Sequence, residues 1–95
     1  MTRSELARQV AERTGMSVAD ADAAVKAVLA AVAGALGRGE TVRLAGFGTF
    51  EAKNRPPRTV RNPRTGAPLA VPALRGVRFR AGKALRDAVR HGPRP

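Results

Sequence analysis

The sequence predicts an α+β fold: two N-terminal helices, an antiparallel sheet prolonged into a two-stranded arm, and a short C-terminal helix. Three observations carry this reading. Apolar residues recur at helical spacing from Leu6 to Leu36, and an alternation of period two begins at Thr41. Residues 54–76 are punctuated by Asn54, Pro56, Pro57, Pro63, Gly66, Pro68, Pro72 and Gly76, with too few large hydrophobes to build a core of their own.

The first helix starts at a capping box, Thr2-Arg3-Ser4-Glu5, in which the Thr2 hydroxyl accepts from an amide of the first turn. Leu6, Ala7, Val10 and Ala11 share one face, and Gly15 supplies the left-handed residue that ends the helix. Ser17 caps the second helix, and Asp20 and Asp22 complement the positive end of its dipole. This helix runs from Val18 to about Leu36. Val18, Ala21, Val25, Val28, Val32 and Leu36 form one apolar stripe, widened by Leu29 and several alanines beyond what one short neighbouring helix covers. A second copy of the chain is the economical partner; burial of the helix against its own sheet is the competing reading.

Gly37 and Gly39 stop the second helix, and Thr41–Leu44 alternates as a strand. Ala45 and Gly46 turn the chain into Phe47–Lys53, and Val77–Arg80 reads as a returning strand. Between them, two halves flanking Asn62-Pro63-Arg64-Thr65-Gly66 pair as a ribbon, Arg58–Arg61 against Ala67–Val71. Prolines suit such an arm because each of its two strands is an edge. Ala81–Val89 is the final helix, with Leu85, Ala88 and Val89 inward and Lys83, Arg86 and Arg90 outward. Phe47, Phe50 and Phe79 are the three aromatic residues and are expected to join Val25, Val28, Leu29, Val32, Leu36, Leu44 and Leu85 in the core or a dimer interface. The organisation is one domain over 1–90: a helical part at 1–45, sheet and arm at 46–80 with the arm at about 54–76, and a helix at 81–90. Residues 91–95 are expected to fray.

The chain of 95 residues carries 18 Lys+Arg against 7 Asp+Glu, a formal charge of +11, and the excess is uneven. Residues 1–50 hold six basic and five acidic side chains, a balance of +1; residues 51–95 hold twelve and two, a balance of +10. Such a field attracts nucleic acid, anionic membrane or acidic protein. Membrane binding needs large apolar residues opposite a cationic face, and the arm is not expected to offer them. Readers of single strands display aromatics for stacking, which the arm lacks. No cysteine is present, a solitary His91 builds no metal site, and Glu51 and Asp87 are the sole carboxylates of the second half. An enzyme, a cofactor and a small-molecule substrate are therefore not expected. No apolar run approaches the roughly 18 residues of a membrane span, and MTRSELARQV is polar where a signal peptide is apolar, so a soluble intracellular protein is expected.

Four segments in order, GFGTF (Gly46–Phe50), the spaced Arg55 and Arg58, RNPRTG (Arg61–Gly66) and FRAGKALRDAV (Phe79–Val89), resemble the bacterial HU and integration host factor family of histone-like DNA-bending proteins. The similarity covers about residues 1–90 and is most like HU. It implies an intertwined homodimer, cytoplasmic and nucleoid-associated, with a helical base, a three-stranded sheet and two ribbon arms that embrace duplex DNA through the minor groove. The sequence departs from the family at Val60, where a small residue is usual, and at Val77, where proline is common.

The resemblance also implies that Pro63 wedges between base pairs. From its neighbours alone Pro63 reads first as a turn proline, and the two readings are compatible. A wedge must be narrow, apolar and stiff; the proline ring is all three. Asn62 and Arg64 flank it. Lys53, Arg55, Arg58, Arg61, Arg75, Arg78 and Arg80 line the arm and its base as phosphate contacts, with Lys83, Arg86 and Arg3 reaching phosphates from the body. The expected activity is bending and compaction of duplex DNA with little sequence preference and a bias toward nicked or distorted sites. The alternatives are a sequence-preferring subunit like integration host factor and a basic RNA-binding protein.

Overall fold

The structure, a computed structural model, describes residues 1–92; the part of the expected frayed tail at 93–95 lies outside the described residues. The chain divides into two compact units, Met1–Ala35 and Leu36–Pro95.

The first unit is helical. Helix α1 spans Arg3–Thr14; the Thr2 Oγ1 accepts from the Glu5 amide at 3.2 Å, and Gly15 closes the helix at φ 78° with its amide bonded to the Ala11 carbonyl. Helix α2 spans Val18–Gly37, and the Ser17 Oγ accepts from the Asp20 amide at 3.0 Å. Both capping residues thus act as the sequence indicates. Arg3 Nε approaches Asp22 Oδ1 at 4.0 Å, while Lys26 Nζ holds Asp22 Oδ2 at 3.0 Å one turn away on the same helix.

In the second unit, β1 (Val42–Leu44), β2 (Gly48–Arg55) and β5 (Leu74–Ala81) form an antiparallel sheet in the order β1-β2-β5. Strands β3 (Arg58–Arg61) and β4 (Pro68–Val71) form a separate two-stranded ladder. The β2–β5 ladder runs unbroken from Gly48↔Ala81 to Arg55↔Leu74, and pairing resumes at Arg58↔Val71. The interruption falls at Pro56-Pro57 on one strand and Pro72-Ala73 on the other, where proline removes ladder donors. The arm therefore prolongs the sheet as two ladders in series.

Several boundaries differ from the sequence reading: β1 and β4 each begin one residue later than expected, and β2 runs on to Arg55. Phe47 belongs to the turn, its amide bonded to the Leu44 carbonyl at 3.0 Å beside Gly46 at φ 79°, so β2 begins one residue later. Strand β5 begins at Leu74, three residues before Val77, because β2 offers partners as far as Arg55. Helix α3 spans Lys83–His91: Ala81 is still paired to Gly48, Gly82 forms the N-cap, and His91 continues the helix instead of fraying.

The core is small. Ala7, Ala11, Ala21 and Val25 are the buried hydrophobic residues among those described. Of the apolar residues expected in a core or interface, Val25 alone is buried; Val32, Leu36, Phe50 and Leu85 are half-buried. Val28 is 58 % exposed, Leu29 51 %, and Leu44, Phe47 and Phe79 are exposed as well. Val89, expected to point inward, is 74 % exposed, so α3 does not bury it within its own chain. The three phenylalanines do meet: Phe79 lies with its ring centroid 4.6 Å from Phe50 and 5.6 Å from Phe47. Among the described residues no helix is long and apolar enough to cross a membrane, and no group of three metal-ligating side chains occurs.

Candidate nucleic-acid interface

Successive side chains of a strand alternate between faces, and residues directly opposite share one. The register Val42↔Phe50, Leu44↔Gly48, Phe50↔Phe79 and Ala52↔Val77 therefore gathers the apolar residues on one face of the sheet. The other face holds Arg43 and Thr49, then Arg80, Glu51 with Arg78, Lys53, and Arg55 with Leu74. Five cations and one carboxylate occupy that face. The carboxylate is engaged: Arg80 Nη2 lies 3.3 Å from Glu51 Oε1. An open groove of about 640 Å³ follows the ladder, lined by Lys53, Arg55 and Leu74 to Arg78.

Four of the residues picked from the sequence, Lys53, Arg55, Arg78 and Arg80, are brought together here. Arg75 is not. It pairs with Asn54 on the opposite face, and its Nη2 donates to the Gly37 carbonyl at 3.1 Å. Conversely, Arg43, which is not among the residues the sequence singles out, shares the cationic face; the alternation of Val42 and Leu44 around it is the available signal.

On the ribbon, Arg58 is opposite Val71, and Arg61 is opposite Pro68. Their spacing of three puts them on opposite faces of a structure whose side chains repeat every two. Arginine thus projects from both faces of the arm.

The tip is a closed loop from Asn62 to Ala67. The Asn62 amide donates to the Ala67 carbonyl at 2.9 Å, and the Gly66 amide donates to the Asn62 carbonyl at 2.8 Å, with Gly66 at φ 72°. Asn62 Oδ1 accepts from the Arg64 amide at 2.8 Å, a side-chain turn that spans Pro63. Arg61 Nη1 donates to the Gly66 carbonyl at 3.3 Å, and Thr65 Oγ1 accepts from the Ala67 amide at 3.3 Å. Asn62 is half-buried, whereas Pro63 makes none of these bonds and is exposed. The loop is ordered around a proline that it leaves free.

Lys83 and Arg86 stand in the first turn of α3, both exposed; Lys83 Nζ is 3.4 Å from Asp87 Oδ2. Arg3 stands at the start of α1 in the other unit.

Comparison with known proteins agrees in class. A family model described as bacterial DNA-binding protein matches residues 1–90. The chain belongs to that family, which includes HU and integration host factor and whose members are DNA-binding architectural proteins, not enzymes. Over 90 residues it is 50 % identical to integration host factor subunit beta of Dechloromonas aromatica, covering 94 % of this chain and 96 % of that one. It is 46 % identical over 90 residues to DNA-binding protein HU of Geobacillus stearothermophilus, covering 95 % of this chain and all of the relative. Among solved structures, the Anabaena HU–DNA cocrystal structure matches with a TM-score of 0.79 at 39 % identity, over 94 % of this chain and 97 % of that one. A Thermotoga maritima HU mutant matches with a TM-score of 0.69 at 27 % identity, over 94 % and 99 %.

Proposed function

We propose that this protein is a homodimeric, nucleoid-associated architectural protein that binds duplex DNA through the minor groove, bends it and prefers nicked or distorted sites. The observation that carries this reading is the arm. Arginines project from both of its faces, and an exposed proline stands at the end of an otherwise hydrogen-bonded loop. A ribbon lying in a groove has a phosphate wall on each side, and Arg58 and Arg61 on opposite faces suit the two walls. Lys53, Arg55, Arg78 and Arg80, with Arg43 added, suit the phosphates of a duplex crossing the base of the arm. Lys83, Arg86 and Arg3 extend the contact from the body.

Pro63 acts as the wedge. Unstacking a base step costs a few kcal/mol, least where a nick has already loosened it, and a rigid ring loses little freedom on entry. Asn62 and Arg64 face the groove edge beside it.

Self-association rests on the apolar residues the single chain leaves uncovered. Val28 and Leu29 on α2, Leu44, Phe47 and Phe79 on the sheet and Val89 on α3 are exposed in a chain whose own core is three alanines and a valine. A second copy is the partner of matching chemistry.

A second reading, a sequence-preferring subunit like integration host factor, is favoured by the 50 % identity to a relative of that name. Gel shifts with linear, nicked and single-stranded DNA and with RNA, at rising salt, test the first reading. Tighter binding of nicked than of linear duplex is expected; equal affinity counts against the wedge, and a preference for single-stranded RNA overturns the reading. Selection from random duplexes separates the second, which requires an enriched motif.

A further inference from the structure

The two faces of the ribbon differ in chemistry as well as in direction. Register sets Val60 opposite Leu69 and Arg58 opposite Val71 on one face, against Thr59 opposite Ala70 and Arg61 opposite Pro68 on the other. Three aliphatic side chains and one guanidinium thus share a face that the linear sequence hides, because Val60 meets Leu69 and Val71 only through the hairpin. Val60 and Val71 are half-buried and Leu69 is 53 % exposed. An arm that only neutralised phosphate would gain nothing from an exposed leucine at its centre.

Whatever covers this face must present apolar surface and negative charge together. Arg58 shares the face, Arg61 and Arg64 flank it, and no acidic residue lies between Glu51 and Asp87. The wall of a DNA groove has this composition: deoxyribose C–H groups alternate with phosphates. An RNA duplex carries a hydroxyl on the same wall.

We propose that Val60, Leu69 and Val71 form a sugar-reading face that selects deoxyribose over ribose duplexes. The inference rests on the duplex-binding function proposed above. A 2′-hydroxyl pressed onto these side chains loses water and gains no hydrogen bond, since none of the three can donate or accept.

The test compares DNA, RNA and 2′-fluoro RNA duplexes of one sequence by fluorescence anisotropy at fixed salt. RNA and 2′-fluoro RNA are both A-form, so their difference isolates the hydroxyl from helix shape. The wild type is expected to bind 2′-fluoro RNA roughly tenfold more tightly than RNA, the size of one buried unpaired polar group. Leu69→Thr and Val71→Thr each place a β-branched residue suited to a strand, add a partner for the hydroxyl, and should shrink that ratio to about twofold with the salt slope unchanged. Equal affinity of the wild type for the two A-form duplexes, or an undiminished ratio in both variants, overturns the proposal. So does a changed sedimentation of the free Leu69→Thr protein with the ratio intact, which would make the face a protein contact. A wild type that binds no duplex at all instead removes the duplex-binding reading, and this inference with it.

Discussion

Arg75 donates from Nη2 to the carbonyl oxygen of Gly37, the last residue of α2, at 3.1 Å, and so turns away from the cationic face of its own strand. A cation at a helix C-terminus satisfies a carbonyl without an intrahelical partner and meets the negative end of the dipole. This geometry ties the base of the arm to the end of α2. Arg78→Ala should lower the log-log salt slope of DNA binding by about 0.9 for each phosphate it releases, whereas Arg75→Ala should leave the slope in place. Hydrogen exchange at Asn54 and Leu74 should quicken in Arg75→Ala alone. Equal loss of slope in both variants would return Arg75 to the phosphate contacts.

Glu51 and Arg80 form an ion pair at 3.3 Å on the cationic face. To bind a phosphate there, Arg80 must leave its carboxylate, and the carboxylate itself repels the backbone. Glu51→Gln should therefore tighten duplex binding and steepen the salt slope by up to about 0.9, the contribution of one freed contact. Weaker binding would mean that the pair holds Arg80 in its working position.

Pro63 is exposed on a tip held by backbone and Asn62 bonds that do not involve it. Pro63→Ala should leave the loop in place and reduce the bend, read by fluorescence energy transfer between the duplex ends, more than it reduces affinity. Arg58→Ala and Arg61→Ala should weaken binding across all sequences. Normal bending by Pro63→Ala would remove the wedge assignment.

Gly48 is pressed under Phe79: a Cβ there would lie 2.6 Å from Phe79 Cε1 and 2.6 Å from the Arg80 carbonyl. The carbonyl belongs to the paired strand and cannot yield. Gly48→Ala should cost about 1–3 kcal/mol of stability by thermal denaturation, as overpacking does. A Tm equal to wild type would show that the sheet adjusts without strain.

Val28 and Leu29 are more than half exposed on α2. If a second copy covers them, Val28→Asp should shift sedimentation from dimer to monomer and lower helical ellipticity together, because the single chain has little core of its own. A monomeric wild type would refute self-association.

Much of this protein was legible in its sequence because the signals are local. Thr2, Ser17 and Gly15 act on amides and carbonyls within a turn of themselves, so capping is read from neighbours. The arm was legible through Asn62–Gly66, whose side-chain and glycine turns close a loop of six residues. The strand ends at Arg55 and Leu74 were not, because a strand continues for as long as its partner does. Charge counts placed a cationic second half but could not divide it between faces. That Arg75 lies on the opposite face from Arg78 and Arg80, that Arg43 shares theirs, and that the ribbon has an apolar face all depend on register between strands. Sequence by itself determined which residues turn, cap and carry charge, interactions a few residues long. Only the tertiary structure decided which of them look the same way, because period-two alternation assigns a face only once the strands are paired.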